Sequence, residues 1–252
     1  MAPILPHPTR TVTQVGDDKV MPVWIESFPE GPWQANCYLV GADGRRDAVV
    51  IDPGVDAAGP VREMLGERGL TAAGVLLTHG HIDHVASAAD VADGYGVPAW
   101  IHADDRELLS LAGSFGPGEP DLAVLLGIEL REPAQLRLLA GGETVDVAGL
   151  SFDVVSAPGH RPGCVLFRLS DDSSGDGNPA PIVFSGDVLF AGSIGRTDLP
   201  GGDTDAMLST LRHVVLALPD EATVLPGHGP STSVARERAT NPYLRPAFWA
   251  ER

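Results

Sequence analysis

The sequence predicts an α/β fold, with strands and helices layered around a sheet-rich core. Two observations lead there. Short apolar runs bounded by turn residues read as buried strands: Ala48–Ile51, Val75–Leu77, Ala99–Ile101, Phe152–Val155, Val165–Leu169, Ile182–Phe184 and Thr223–Leu225. Between them lie stretches with apolar residues at helical spacing: Val85–Tyr95, Asp105–Ala112, Asp203–Leu218 and Ser233–Thr240. The third of these is the clearest, because Met207, Leu208, Leu211, Val214, Val215 and Leu218 form one stripe. Strands alternating with helices suggest α/β layers.

The 30 glycines and 22 prolines imply many loops and turns. Residues 1–20 are polar and proline-rich and read as a loose N-terminal extension, followed by a single domain over residues 21–252. The run Asp171–Pro179 reads as a flexible hairpin loop between two apolar runs. With 43% hydrophobic residues in 252, the chain can bury a substantial core. Its formal net charge of −17 repels phosphate backbones, which argues against nucleic acid as a partner. The N-terminus has neither a basic nor an apolar leader segment, and no run approaches the roughly 18 apolar residues of a membrane span. A cytoplasmic protein without membrane partners is expected. The 2 cysteines, Cys37 and Cys164, lack metal-site spacing and are expected to be reduced and partly buried.

Polar residues at the ends of the apolar runs carry the chemistry. Val75–Thr78 leads into His79-Gly80-His81-Ile82-Asp83-His84. Phe152–Gly159 leads into His160, Ile182–Gly186 into Asp187, and Thr223–Gly227 into His228. A strand end followed by a glycine-containing turn presents side chains at the rim of a sheet. Four such rims delivering His and Asp to one edge would form one site. A regular strand cannot aim all the donors of residues 79–84 at one point. A turn at Gly80 would let His79 and His81 address one metal while Asp83 and His84 address a neighbour, with a helix beginning near Val85. Imidazole and carboxylate suit zinc, and also iron or manganese. His7, His102 and His213 have no ligand motif around them and are assigned ordinary roles.

The pattern His79-x-His81-x-Asp83-His84, then His160, Asp187 and His228, resembles the metallo-β-lactamase superfamily in its two-metal form, over roughly residues 22–242. The resemblance implies an αββα sandwich with the metals at one edge of the two sheets. It also implies a role for each residue. His79, His81 and His160 bind the first metal, Asp83, His84 and His228 the second, and Asp187 bridges them. Asp83 and Asp187 are thereby the catalytic carboxylates. The implied cofactors are two divalent ions, zinc first, with iron or manganese as alternatives, which activate water and polarise a carbonyl.

Ser193–Asp203, Pro226–Thr232, Glu237–Tyr243 and Asn36-Cys37-Tyr38 are similar to glyoxalase II-like (hydroxyacylglutathione hydrolase-like) bacterial hydrolases. That implies hydrolysis of a small-molecule thioester such as S-lactoylglutathione. Longer members carry a C-terminal helical domain that contacts glutathione. Here 24 residues follow His228 (252 − 228), so the sequence reads as lacking it. The family commonly has Thr after the third histidine, where this chain has Arg161. Arg161 and Arg196 are the candidate substrate contacts, with Arg196 also able to pair with Asp198. Three other readings stay open. A mononuclear iron persulfide dioxygenase shares the first cluster, and a scaffold could bind metal without hydrolysing anything. An exported β-lactamase fits less well without a leader. Residues 113–140 either cover the active-site edge and shape an acyl pocket or pack as a helix on the core.

Overall fold

The computed structural model describes residues 23–110, 122–169 and 180–250. Expectations for residues 1–20, 171–179 and His7 lie outside these. The first sheet has the order β1-β2-β3-β4-β5-β6. Its strands are β1 (Val23–Glu30), β2 (Ala35–Ala42), β3 (Asp47–Ile51), β4 (Thr71–Leu76), β5 (Ala99–His102) and β6 (Leu136–Leu139). The first three are antiparallel neighbours, and β3 to β6 run parallel. Parallel neighbours need crossovers. Helix α1 (Ala58–Glu67) links β3 to β4, and α2 (Ile82–Val85) with α3 (Ala88–Tyr95) links β4 to β5. The short α4 (Leu122–Leu126) precedes β6.

The second sheet contains β7 (Thr144–Val147), β8 (Leu150–Ser156), β9 (Val165–Leu169) and β10 (Ile182–Gly186). A small hairpin follows, β11 (Leu189–Phe190) with β12 (Ser193–Ile194), and the sheet is completed by β13 (Thr223–Pro226) and β14 (Thr232–Ser233). Its order is β14-β13-β10-β9-β8-β7. Helices α5 (Thr204–His213), α6 (Val234–Thr240) and α7 (Pro246–Ala250) belong to this half of the chain.

Alternation along the strands builds the layers. Val40, Ile51, Leu76, Phe152, Phe167 and Phe184 face inward and form the core between the sheets. Their neighbours Leu39, Val50 and Val75 face the other way and pack with Val61, Leu65 and Val91 of α1 and α3. On the far side Leu166, Val183 and Val224 pack with Met207, Leu211 and Val234 of α5 and α6. The result is the αββα sandwich expected from the resemblance.

Every apolar run read as a strand falls in one, except that β4 stops at Leu76 and leaves Leu77 outside. The helices required more revision. The expected Val85–Tyr95 helix is broken at Ala86–Ser87, so Asp83 and His84 lie inside α2 and not before a helix. Asp105–Ala112 corresponds to a 3-10 helix over Ala103–Leu109, with its last two residues outside the described ones. The Asp203–Leu218 stripe covers α5 and a 3-10 turn at Val215–Ala217. The thiols are wholly buried, not partly, and both are free. In the 113–140 segment, α4 buries Ala123 but leaves Leu125 70% exposed, so its apolar run is not a helix packed all round on the core. Among the described residues no helix is long and apolar enough to cross a membrane.

Candidate metal centre

The four predicted rims meet. Strands β4, β8, β10 and β13 all end at one edge, and the turns after them carry His79 to His84, His160, Asp187 and His228. Gly227 shows how tight the meeting is. A Cβ there would run into Asp187 Oδ1 and would sit 2.7 Å from His84 Cε1. Gly54 is equally constrained, because a Cβ would collide with the carbonyl of Asp83.

Three overlapping trios of donor atoms result: His79, His81 and His160; His79, His84 and Asp187; and Asp83, His84 and His228. In the first, His81 Nδ1 lies 3.2 Å from His79 Nε2 and 2.8 Å from His160 Nε2. In the last, His228 Nε2 lies 3.3 Å from both His84 Nε2 and Asp83 Oδ2. Asp187 stands between the groups. Its Oδ2 is 3.6 Å from His160 Nε2 and 3.5 Å from His228 Nε2, and its Oδ1 is 3.4 Å from His84 Nε2. All the sequence-predicted ligands are therefore brought together.

The outer atoms of four histidines are held in a way that aims the inner nitrogen inward. His160 Nδ1 donates to the Arg196 carbonyl at 2.8 Å, and His228 Nδ1 to the Trp33 carbonyl at 3.1 Å. His84 Nδ1 is 3.1 Å from Asp52 Oδ2, and His79 Nδ1 is 3.1 Å from Thr78 Oγ1. Such partners settle the tautomer and leave Nε2 as the lone-pair donor. His81 differs in presenting Nδ1 to the site. Lone pairs of several imidazoles aimed at one another repel unless a cation or proton lies among them. Asp187 Oδ1 is also buried without a hydrogen-bond partner among the described residues. Both features fit a divalent cation, and imidazole with carboxylate is a suitable donor set.

The electrostatics divide the cluster. Burial drives His79 well below the ordinary imidazole value and His81 down to about 3. Burial also lowers His160, against the pull of Asp187 and the Arg196 carbonyl. The first trio is thus neutral and ready to donate. Burial acts the same way on His84, but Asp83 and Asp187 outweigh it and hold His84 well above its usual value. His228 is likewise raised to about 9, because its bonds to Asp187 and Asp83 exceed the burial penalty. Asp187 is held well below the carboxylate range, with burial overcome by His84 and His228. A cation held by the second group would compete with protons for His84 and His228.

Two buried aspartates were missed at the sequence level. Asp52 accepts from Thr78 N at 2.8 Å and Thr78 Oγ1 at 2.6 Å while also facing His84. Its backbone sits at φ 51, a conformation unusual for a residue with a side chain. The signal was available, since Asp52 follows the Ala48–Ile51 run as the ligands follow theirs. Asp105 accepts from Gly80 N at 2.9 Å and Gly163 N at 3.2 Å, joining the first ligand turn to the loop after His160. No strand-end pattern marks it.

The two candidate arginines are otherwise engaged. Arg161 is buried; its Nη1 donates to the Pro200 carbonyl, and its Nη2 lies 3.4 Å from Asp105 Oδ1. It is not solvated, and a substrate carboxylate would have to compete with Asp105. Arg196 makes a two-pronged bond to Asp198, at 2.7 and 2.8 Å, on an exposed loop. His102 Nδ1 accepts from Asp104 N at 3.2 Å, capping the 3-10 helix, and His213 ends α5. Both have the ordinary roles expected.

Comparison with known proteins agrees with this geometry. The family model described as Metallo-beta-lactamase superfamily matches residues 31–228. An uncharacterized protein of Mycobacterium bovis is 42% identical over 221 residues, covering 87% of this chain and 97% of that protein. The hydroxyacylglutathione hydrolase GloC of Haemophilus influenzae is 33% identical over 221 residues, with the same 87% and 97% coverage. Among solved structures, the BLEG-1 B3 metallo-beta-lactamase superposes with a TM-score of 0.74 at 34% identity, over 87% of this chain and 99% of that one. TTHA1623 in a di-iron-bound form superposes at 0.69 with 35% identity, over 86% and 99%. With a family model spanning residues 31–228 and relatives 33% to 42% identical over nearly their whole length, this chain belongs to the metallo-beta-lactamase superfamily.

Proposed function

We propose that the chain is a metal-dependent thioester hydrolase of the glyoxalase II type, acting on S-lactoylglutathione or a related hydroxyacyl thioester. The observation that carries this reading is the placement of Asp187 between His160 on one side and His84 and His228 on the other. That placement suits two divalent cations: His79, His81 and His160 would hold one, Asp83, His84 and His228 the other, and Asp187 both. The name of the Haemophilus relative supports the substrate class, and the di-iron form of TTHA1623 supports two ions and makes iron a candidate beside zinc and manganese.

Divalent cations, when bound, polarise a thioester carbonyl and lower the pKa of water. The chain's own contribution is donor placement and access. The side chains of His79 and His84 are fully buried, whereas His228 is 26% and Asp83 16% exposed, so substrate reaches the cluster from the His228 and Asp83 side. The reaction adds water across the C–S bond; the acyl group leaves as a carboxylic acid and the sulfur as a thiol. The thiols of Cys37 and Cys164 are buried and held in the neutral form, which makes both poor nucleophiles.

Lactoyl thioesters differing only in the thiol, assayed with metal content measured on the same preparation, test the reading. Hydrolysis abolished by chelator and restored by metal is expected. Discrimination among thiols should stay below about 100-fold, or about 2.7 kcal/mol, because Arg161 and Arg196 are already engaged. Turnover of a β-lactam but of no thioester would overturn the substrate class. One iron per chain with oxygen consumption would favour the persulfide dioxygenase. Bound metal without any turnover would favour the scaffold.

A further inference from the structure

Helix α6 holds a polar network behind the cluster that the proposed chemistry does not use. Glu237 is 0% exposed, and no cation neutralises it among the described residues. Its carboxylate is satisfied by neutral donors. Oε1 accepts from Thr232 Oγ1 at 2.6 Å, and Oε2 accepts from Gly192 N at 2.7 Å and Asn241 Nδ2 at 2.9 Å. Asn241, also 0% exposed, donates from the same nitrogen to the Ser193 carbonyl at 3.0 Å. A buried carboxylate is costly unless fully hydrogen-bonded. The arrangement therefore holds the groups it touches in one geometry.

Those groups lead to the metal centre. Gly192 lies in the turn of the β11–β12 hairpin and Ser193 opens β12; the hairpin begins two residues after Asp187. The chain running on from it is pressed against the cluster: a Cβ at Gly195 would collide with the Asp187 carbonyl and sit 3.3 Å from His160 Cβ, and the Arg196 carbonyl accepts from His160 Nδ1. Thr232 stands four residues after His228, on β14. One carboxylate thus ties together the segments carrying Asp187, the His160 acceptor and His228.

We propose that Glu237, assisted by Asn241, is a positioning residue that sets the relative placement of Asp187, His160 and His228 from outside the cluster. This rests on the metal reading above. Glu237→Gln should preserve the function, because the Thr232 hydroxyl can turn from donor to acceptor and meet the new amide, leaving the remaining oxygen for Gly192 and Asn241. Glu237→Ala strands the Gly192 amide and the Thr232 hydroxyl.

The test titrates metal-free protein with Co2+ alone, reading the visible absorption bands of the bound ion, and follows amide exchange of Gly192 in the absence of metal. Wild type, Glu237→Ala, Glu237→Gln and the core variant Leu211→Ala are compared. Glu237→Ala should weaken Co2+ binding by roughly 10- to 100-fold, shift the bands and speed Gly192 exchange. Glu237→Gln should stay near wild type. Leu211→Ala should lose stability but keep the wild-type spectrum and affinity. A wild-type spectrum and affinity in Glu237→Ala would overturn the proposal, as would an equal loss in Leu211→Ala. If Glu237→Ala does not fold, Asn241→Ala, which removes the Ser193 tether and one donor to Glu237 but leaves the Thr232 and Gly192 bonds in place, decides by the same bands, an unchanged spectrum again counting against it. Failure of the wild type to bind Co2+ would instead overturn the metal reading itself.

Discussion

Asp187 and the two cysteines show what single residues contribute. Among the described residues Asp187 is the one carboxylate close to both His160 and the His84–His228 pair. Truncating it should remove a ligand from both sides, whereas His228→Ala removes one from the second side only. At equal metal occupancy, Asp187→Ala should lose more activity than His228→Ala, and more than the roughly 10- to 100-fold typical of an outer partner. Equal residual rates would count against the bridging role. Cys37 and Cys164 make a different point. Burial, reinforced by Asp52 and Glu30 around Cys37 and by Asp105 near Cys164, pushes both thiols well above their usual pKa. The thiolate is the reactive form. At pH 8 the folded protein should therefore leave a disulfide reagent unreacted, and denaturation should release both thiols. The sign for stability follows. The folded state keeps these protons above the unfolded thiol pKa of about 8.5, so stability falls as pH rises beyond that point. Rapid labelling of the native protein would refute it.

At the level of elements, the turns and caps matter more than the strands they follow. Helix α5 starts at Asp203, whose Oδ1 accepts from Ala206 N at 2.9 Å, while Asp203 N donates to the Gly159 carbonyl at 2.8 Å. The same loop leaves no room at Gly159, at φ 144, where a Cβ would run into Met207. Asp203→Ala removes the cap but not the backbone bond. It should cost about 1 kcal/mol in denaturant unfolding and leave metal content unchanged. A loss of metal with the cap would mean that the side chain also orders His160. The strands were readable because stretches such as Val165–Phe167 and Val183–Phe184 are buried on both faces and carry consecutive apolar residues. Helix α1 was not readable, because Gly59, Pro60 and Gly66 interrupt its pattern and only Val61 and Leu65 are buried. The break between α2 and α3 was equally hidden; the Ser87 amide leaves the helical ladder to bond the Pro53 carbonyl, a contact distant in sequence.

For the whole molecule, the cluster is a point where both sheets are joined. His79 to His84 come from the first sheet, and His160, Asp187 and His228 from the second. Bound cations would cross-link the two layers, and stripping them would leave mutually repelling donors. At a cation concentration 100 times its Kd, binding adds about 2.7 kcal/mol to stability. Chelation should thus lower Tm by at least about 5 °C for a domain of this size, and cation should restore it. A melting curve indifferent to chelator would argue that nothing binds the cluster in the folded protein.

Seven of the strands and the candidate ligands that follow four of them were legible in the sequence alone. Both are local patterns: an apolar run, a glycine turn and then a histidine or aspartate. That the four turns converge follows only from the pairing of β10 with β13 and from the packing of the two sheets, which bring residues 79 and 228 to one edge. The tertiary structure alone also decided the partners of Arg161, Asp52, Asp105 and Glu237. Each is a charged group whose sequence neighbourhood is compatible with solvent. Each is buried because its hydrogen-bond partners arrive from segments far away in the chain, and burial of a charge is tolerable only where such partners meet it.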